Sequence, residues 1–199
     1  MQRLPAWSAD GLPDVSSDVG PDHALVAAIR ADPAAFDLLY RQYYERVLAY
    51  ARARAATSED AADLTQQIFL RAFAAFTTYH PARGSLAAWL FGIARNAAVD
   101  LRRRQRVAHD TQYLPLAGSP APTDPQDAAL RAEAVDRLRA LLARLDHRKR
   151  ELLVLRFAAG LSTADIAAVT GKSEAAVRKA ITRILHTLKE LYNDADPRP

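Results

Sequence analysis

The chain has 199 residues, 50% of them hydrophobic and 25% charged, with no cysteine and a net charge of +4. That length fills one large domain or two small ones, and the ordinary charged fraction excludes a chain that is disordered throughout. The missing cysteine excludes disulfides, thiolate chemistry and cysteine-ligated zinc. Residues 1–21 combine Pro5, Pro13 and Pro21 with Gly11, Gly20 and several Ser and Asp, and no helical period runs through them, so a disordered tail is predicted. A short helix with Leu25 and Ile29 follows. Asp32-Pro33 is a restart signal, an N-cap followed by a proline at the first helical position. Phe36, Leu39, Tyr40, Tyr43, Tyr44, Val47, Leu48 and Ala51 then recur at helical spacing. Thr57 caps the next helix, whose apolar face is Ala61, Leu64, Ile68, Phe69, Ala72 and Phe73. The run from Thr77 to Gly84 breaks it. Ser85 starts a helix through Leu86, Trp89, Leu90, Ile93, Ala97 and Leu101 that ends in Arg102-Arg103-Arg104-Gln105-Arg106.

Residues 107–127 read as a linker, because Pro115, Pro120, Pro122 and Pro125 cannot continue a helix. The second block, 128–192, opens with an amphipathic helix carrying Ala129, Val135, Leu138, Leu141, Leu142 and Leu145. Leu152 to Phe157 make another, stopped at Gly160. Ser162 caps a short helix, Gly171 ends it, and Ser173 caps a long one with Val177, Ile181, Ile184, Leu185, Leu188 and Leu191 inward. Residues 193–199 form a C-terminal tail. No strand signal competes, so the fold class is all-α: two small helical domains, 22–106 and 128–192, joined by a flexible linker.

A short capped helix, a glycine turn and a longer capped helix have the grammar of a helix-turn-helix, whose second helix can lie in a major groove. From Arg148 to Lys189 nine basic side chains stand against three acidic ones, a net of +6 on a face opposite the core. Arg178 and Lys179 lie one turn into the second helix, where side chains reach base edges, and Arg183 is placed for phosphate. Upstream, Trp89 and Phe91 interleave with Arg95, Asn96, Arg102, Arg103, Arg104 and Arg106 beside a Tyr79-His80 loop. Such a mixture suits single-stranded DNA. It equally suits a core aromatic pair on a helix with a solvated basic end.

Several classes find no support. The five histidines are scattered without metal-ligand spacing, and no nucleophile–base pair or phosphate loop is present. Neither enzyme chemistry nor a cofactor or metal is expected. Residues 1–20 lack the basic start and apolar run of a secretory signal, and every apolar stretch is broken by charge short of the roughly 18–20 residues of a membrane span. A cytoplasmic protein without membrane insertion is expected. On the residues alone, a stand-alone helix-turn-helix regulator and a helical adaptor that touches no DNA remain open beside a transcription factor of another kind.

The residues also resemble a known family. Phe36-Asp37-Leu38-Leu39-Tyr40, the run Asp60 to Phe73, the string Trp89-Leu90-Phe91-Gly92-Ile93-Ala94-Arg95-Asn96 with Asp100, and Leu161-Ser162 through Val177 are similar to regions 2 and 4 of the extracytoplasmic-function bacterial sigma factors. Departures are Gln67 and Asp165, each where the family usually has Glu, and Glu174-Ala175-Ala176 in place of a more typical Gly-Thr pair before Val177. The resemblance implies a sigma factor that binds core RNA polymerase and promoter DNA and is held by an anti-sigma factor. It implies core contacts from Asp60, Asp63, Leu64, Gln66, Gln67 and Phe69. It places −10 recognition on Tyr79, Arg83, Trp89 and Asn96, with Arg102, Arg103, Arg104 and Arg106 on phosphates. It places −35 recognition on Lys172, Ser173, Glu174, Ala175, Arg178, Lys179 and Arg183.

Overall fold

The structure, a computed structural model, describes residues 22–105 and 136–194. Expectations on the tails, on Arg106, on Ala129 and Val135, and on the linker lie outside these residues. Helix α1 (Asp22–Ala31) is followed by a 3-10 turn, Pro33–Ala35, and by α2 (Phe36–Arg52). Asp32 is extended and its carboxylate accepts from the Ala34 N–H at 2.9 Å, as its place before Pro33 predicts. Helix α3 (Ser58–Ala75) begins at Thr57, whose hydroxyl accepts from the Asp60 N–H at 3.0 Å. Two 3-10 turns, Phe76–Thr78 and Pro81–Arg83, occupy the predicted break. Gly84 closes it at φ +137°, a value that favours glycine. Helix α4 (Leu86–Gln105) follows, its start capped by the Ser85 hydroxyl accepting from the Ala88 N–H at 3.0 Å.

Helices α2, α3 and α4 pack around Leu39, Tyr43, Val47 and Tyr50 of the first, Leu64 and Ile68 of the second, and Leu86, Leu90, Phe91 and Ala94 of the third. The apolar periodicity predicted most of this core. Two residues depart from it: Tyr40 is 40% and Phe73 53% exposed. A stripe of apolar residues wider than the core can cover leaves its edge in solvent.

Helix α5, described over 136–143, and α6 (His147–Leu153) open the second part. Asp146 caps α6 by accepting from the Lys149 N–H at 2.9 Å. The predicted regular helix over Leu152–Phe157 is corrected: from Val154 to Ala158 the backbone widens into a π-helical segment. Phe157 turns outward there and Arg156 turns inward. The Arg156 guanidinium donates to the Leu161 carbonyl at 2.9 Å, so it belongs to the core and not to the basic face. Helix α7 (Thr163–Thr170) carries a complete capping box between Ser162 and Asp165 and ends at Gly171, φ +68°. Helix α8 (Glu174–Asp194) buries Val177, Ile181 and Ile184, while Leu185, Leu188 and Leu191 are only half-buried. Among the described residues there is no strand.

The two parts touch. Helix α4 packs on α7, and α2 on the π-helical segment, so one continuous core runs from Val26 to Ile184.

Candidate nucleic-acid interface

Helix α4 places its functional side chains by period. Trp89, Asn96 and Arg103 are seven residues apart, hence on one face at steps of about 10.5 Å. Trp89 is half-buried and its ring meets Tyr79 at 5.6 Å and Phe76 at 5.9 Å between centroids. Tyr79 is only 3% exposed: its hydroxyl donates to the Gly84 carbonyl at 3.2 Å, and its own carbonyl accepts from Arg30 at 3.0 Å. It therefore backs Trp89 and is not open to a base. Asn96, Arg83, Arg103 and Arg104 are exposed, and Arg102 is half-buried. The structure thus brings Trp89, Asn96 and Arg103 onto one stripe. Arg83 stands before the helix, on the loop ended by Gly84.

Helix α8 presents Glu174, Ala175, Arg178, Lys179 and Arg183 in solvent, with Lys172 and Ser173 beside them on the turn. Ala175, Arg178, Lys179 and Arg183 recur at spacings of three, four and eight and share a face. Glu174 is a hub. Its Oε1 accepts from the Thr163 hydroxyl at 2.8 Å and from the Arg178 guanidinium at 2.7 Å. The capping box on α7 and the left-handed Gly171 fix the angle at which α8 leaves the turn.

On α3, Leu64 and Phe69 are 1% and 5% exposed and face the core. They hold α3 in place. A partner on α3 must meet the opposite stripe, where Asp63, Gln66, Leu70 and Phe73 stand at spacings of three, seven and ten. Leu70 is 69% exposed. Asp60 and Gln67 flank this stripe and are half-buried. The sequence reading passed over Leu70. The signal was available: an isolated Leu one turn beyond Gln66 is out of phase with the core face.

It also passed over a polar seam between the two parts. Arg46 stacks on the Tyr43 and Phe91 rings and donates to the Ala159 and Gly160 carbonyls at 2.8 and 3.1 Å. Glu151, nearly buried, pairs with Arg54 at 2.5 Å, accepts from the Tyr50 hydroxyl at 3.4 Å and lies 3.9 Å from Arg95. The Ser85 hydroxyl donates to Asp165 at 2.5 Å. Burial pushes the Tyr43 and Tyr50 hydroxyls well above the usual tyrosine range. Burial, above all, also raises Asp22, although its carboxylate accepts from the Leu86 N–H at 3.2 Å. No single-residue pattern could have shown this seam, because its partners are 56 to 114 residues apart.

The family described as Sigma-70 region 2 matches residues 39–107, and Sigma-70, region 4 matches residues 136–188. Among curated relatives, the ECF RNA polymerase sigma factor BldN of Streptomyces coelicolor is 33% identical, over 92% of this chain and 70% of its own. SigD of Mycobacterium tuberculosis is 33% identical over 85% and 82%. CnrH of Cupriavidus metallidurans is 34% identical over 88% and 95%. Of solved structures, CnrH in complex with the cytosolic domain of CnrY superposes with a TM-score of 0.64 at 29% identity, covering 87% of this chain and 97% of that one. The RpoE–anti-sigma NepR complex of Bartonella quintana gives 0.60 at 25% identity, covering 79% and 96%.

These matches cover both blocks of the chain and define a promoter-reading subunit of RNA polymerase. The chain belongs to the extracytoplasmic-function group of the sigma-70 family. It directs promoter-specific transcription initiation, with core RNA polymerase and promoter DNA as its partners. No helix among the described residues is long and apolar enough to cross a membrane.

Proposed function

We propose that residues 22–106 form the polymerase anchor and −10 reader, that 128–192 form the −35 reader, and that 107–127 join them. The observation that carries this division is the stripe on α4. An aromatic, an amide and an arginine stand in line on one helix. A base flipped at a cost of a few kcal/mol needs a stacking partner and paired hydrogen bonds to repay it. Trp89 supplies the first and Asn96 the second, with Tyr79 behind Trp89 and Arg83 at the edge. Arg102, Arg103, Arg104 and Arg106 hold phosphates. Region 4 reads duplex DNA with Arg178 and Lys179 on base edges, while Lys172, Ser173, Glu174, Ala175 and Arg183 frame them on the backbone and groove wall.

The polymerase anchor is the outer stripe of α3: Asp63, Gln66, Leu70 and Phe73, flanked by Asp60 and Gln67. A protruding leucine ringed by polar groups is the composition of an interface core with its rim. The protein acts in the cytoplasm, catalyses no reaction of its own and is held by an anti-sigma factor, as the CnrH and RpoE relatives are by theirs.

The test is run-off transcription with purified core polymerase on a promoter library. Core-dependent initiation, lost when either element is scrambled, is expected. Absence of initiation together with failure to co-purify with core would overturn the reading.

A further inference from the structure

Helix α8 carries an acid where it first meets DNA. From Glu174, its first residue, to Lys189 it has no other Asp or Glu. A carboxylate there works against binding, because the first turn of such a helix enters the groove between rows of negative phosphates. The geometry gives this carboxylate another task. Its Oε1 accepts from the Arg178 guanidinium at 2.7 Å, one turn on, and from the Thr163 hydroxyl at 2.8 Å, across the turn on α7. Thr163 is the first residue of α7, directly after the capping box of Ser162 and Asp165 has begun. Arg178 is thus tied through one oxygen atom to a second helix whose start is fixed. Among the described residues no ion pair is present at Lys179 or Arg183, so on this face Arg178 is the cation whose head group is oriented before DNA arrives.

Orientation matters for an arginine in particular. Its guanidinium is a planar fork with five N–H donors, and only edge-on presentation to guanine O6 and N7 gives two parallel bonds. One donor given to Glu174 leaves enough for that fork. An arginine already held also loses less side-chain freedom on contact than one that sweeps through solvent. With region 4 as the −35 reader, on which this rests, we propose that Glu174 is a positioning residue, braced by Thr163, that aims Arg178 at a guanine and so sets the base preference at one position of the −35 element. Removing the carboxylate then has two effects of opposite sense. It frees Arg178, which lowers discrimination. It also removes a repulsion toward phosphate, which strengthens binding to any sequence.

The test is selection by holoenzyme, assembled from core polymerase and the full-length chain. The probes are duplexes fixed at the −10 end by a promoter from the run-off library and randomised over the −35 element. Arg178→Ala marks the position that Arg178 reads, where guanine enrichment should fall to background. Glu174→Ala should lower enrichment at that same position about tenfold, the scale of a lost bidentate contact. The other positions should stay as in wild type, and binding to a duplex with a scrambled −35 element should rise. Glu174→Gln loses the same charge but keeps an acceptor for Arg178 and Thr163, so it should hold most of the guanine preference. Thr163→Val leaves Glu174 and Arg178 in place and should relax the same position about threefold, the scale of one hydrogen bond. In an Arg178→Ala background, Glu174→Ala should change no preference. Loss of preference at a different position in Glu174→Ala would make Glu174 a base reader in its own right and overturn the positioning role. So would an equal loss at every position with a lowered melting temperature, which marks a merely structural residue. Glu174→Gln matching Glu174→Ala would overturn it too, since charge alone would then be the cause. If the wild-type holoenzyme enriches no −35 sequence, the region 4 reading falls and takes the positioning role with it. That outcome is visible before any variant is compared, whereas failure of the positioning role alone leaves wild-type selection intact.

Discussion

Arg178 is the side chain on which the −35 reading turns. It is exposed, one turn into α8, and tied to Glu174 at 2.7 Å. An exposed pair of this kind adds little stability, so truncation should act on DNA and not on folding. Arg178→Ala is expected to lower −35-dependent transcription by about 10- to 100-fold, the equivalent of about 1–3 kcal/mol for a lost base contact. Core binding should be unchanged, measured by run-off transcription beside a core pull-down. Loss of core binding would show that the face is wrong. Glu174 takes part in the same geometry. It links Thr163 of α7 to Arg178 of α8. The capping residues Thr57 and Ser162 were legible in the sequence because their signals are local: each bonds to the backbone three residues on. Their spacing is visible in four letters.

Helix α3 has two faces of different character. Its inner face holds Leu64 and Ile68 in the core and its outer stripe ends in Leu70 and Phe73. The two faces should separate cleanly in experiment. Leu70→Glu is expected to abolish binding to core polymerase while leaving the melting temperature within about 2 °C, since surface changes usually stay within about 0.5 kcal/mol. Leu64→Ala should instead cost about 2–5 kcal/mol by opening a cavity. A pull-down and a thermal melt on each variant check this; core binding by Leu70→Glu would refute the anchor. Helix α6 carries a pH response. Partial loss of hydration, then the Arg102 and Arg54 guanidiniums, hold His147 below its usual value, with Arg150 acting in the same sense and Glu151 against it. A depressed histidine contributes stability that is present above its unfolded value of 6.5 and lost as pH falls through its folded value. The melting temperature is therefore expected to fall as pH drops below 6.5, and to fall less in His147→Gln. An equal slope in the two proteins would show that His147 has no part in it.

At the scale of the whole molecule, charge and connectivity govern behaviour. Region 4 presents Arg178, Lys179 and Arg183 on one face of α8, so promoter binding by the polymerase complex should weaken steeply with salt, log affinity falling by about 0.9 per neutralised phosphate for each unit of log salt. Removing Arg183 should reduce that slope by about one without changing sequence preference; a change in preference would make it a base reader instead. The sequence by itself determined the two helical blocks, the order and capping of their helices, and the helix-turn-helix. Each of these depends on neighbours within a few turns, and 3.6-residue periodicity exposes such relations directly. Only the tertiary structure decided which edge of each stripe is covered. Tyr40 and Phe73 read as core by period, yet they fall outside the area that the neighbouring helices can shield. Arg156 read as part of a basic face, yet the π-helical widening turns it inward to the Leu161 carbonyl. The seam itself was invisible in the sequence, because Arg46, Arg54 and Ser85 find their partners across 80 to 114 residues. Burial of a polar group is decided by what packs over it, and sequence spacing carries no record of that.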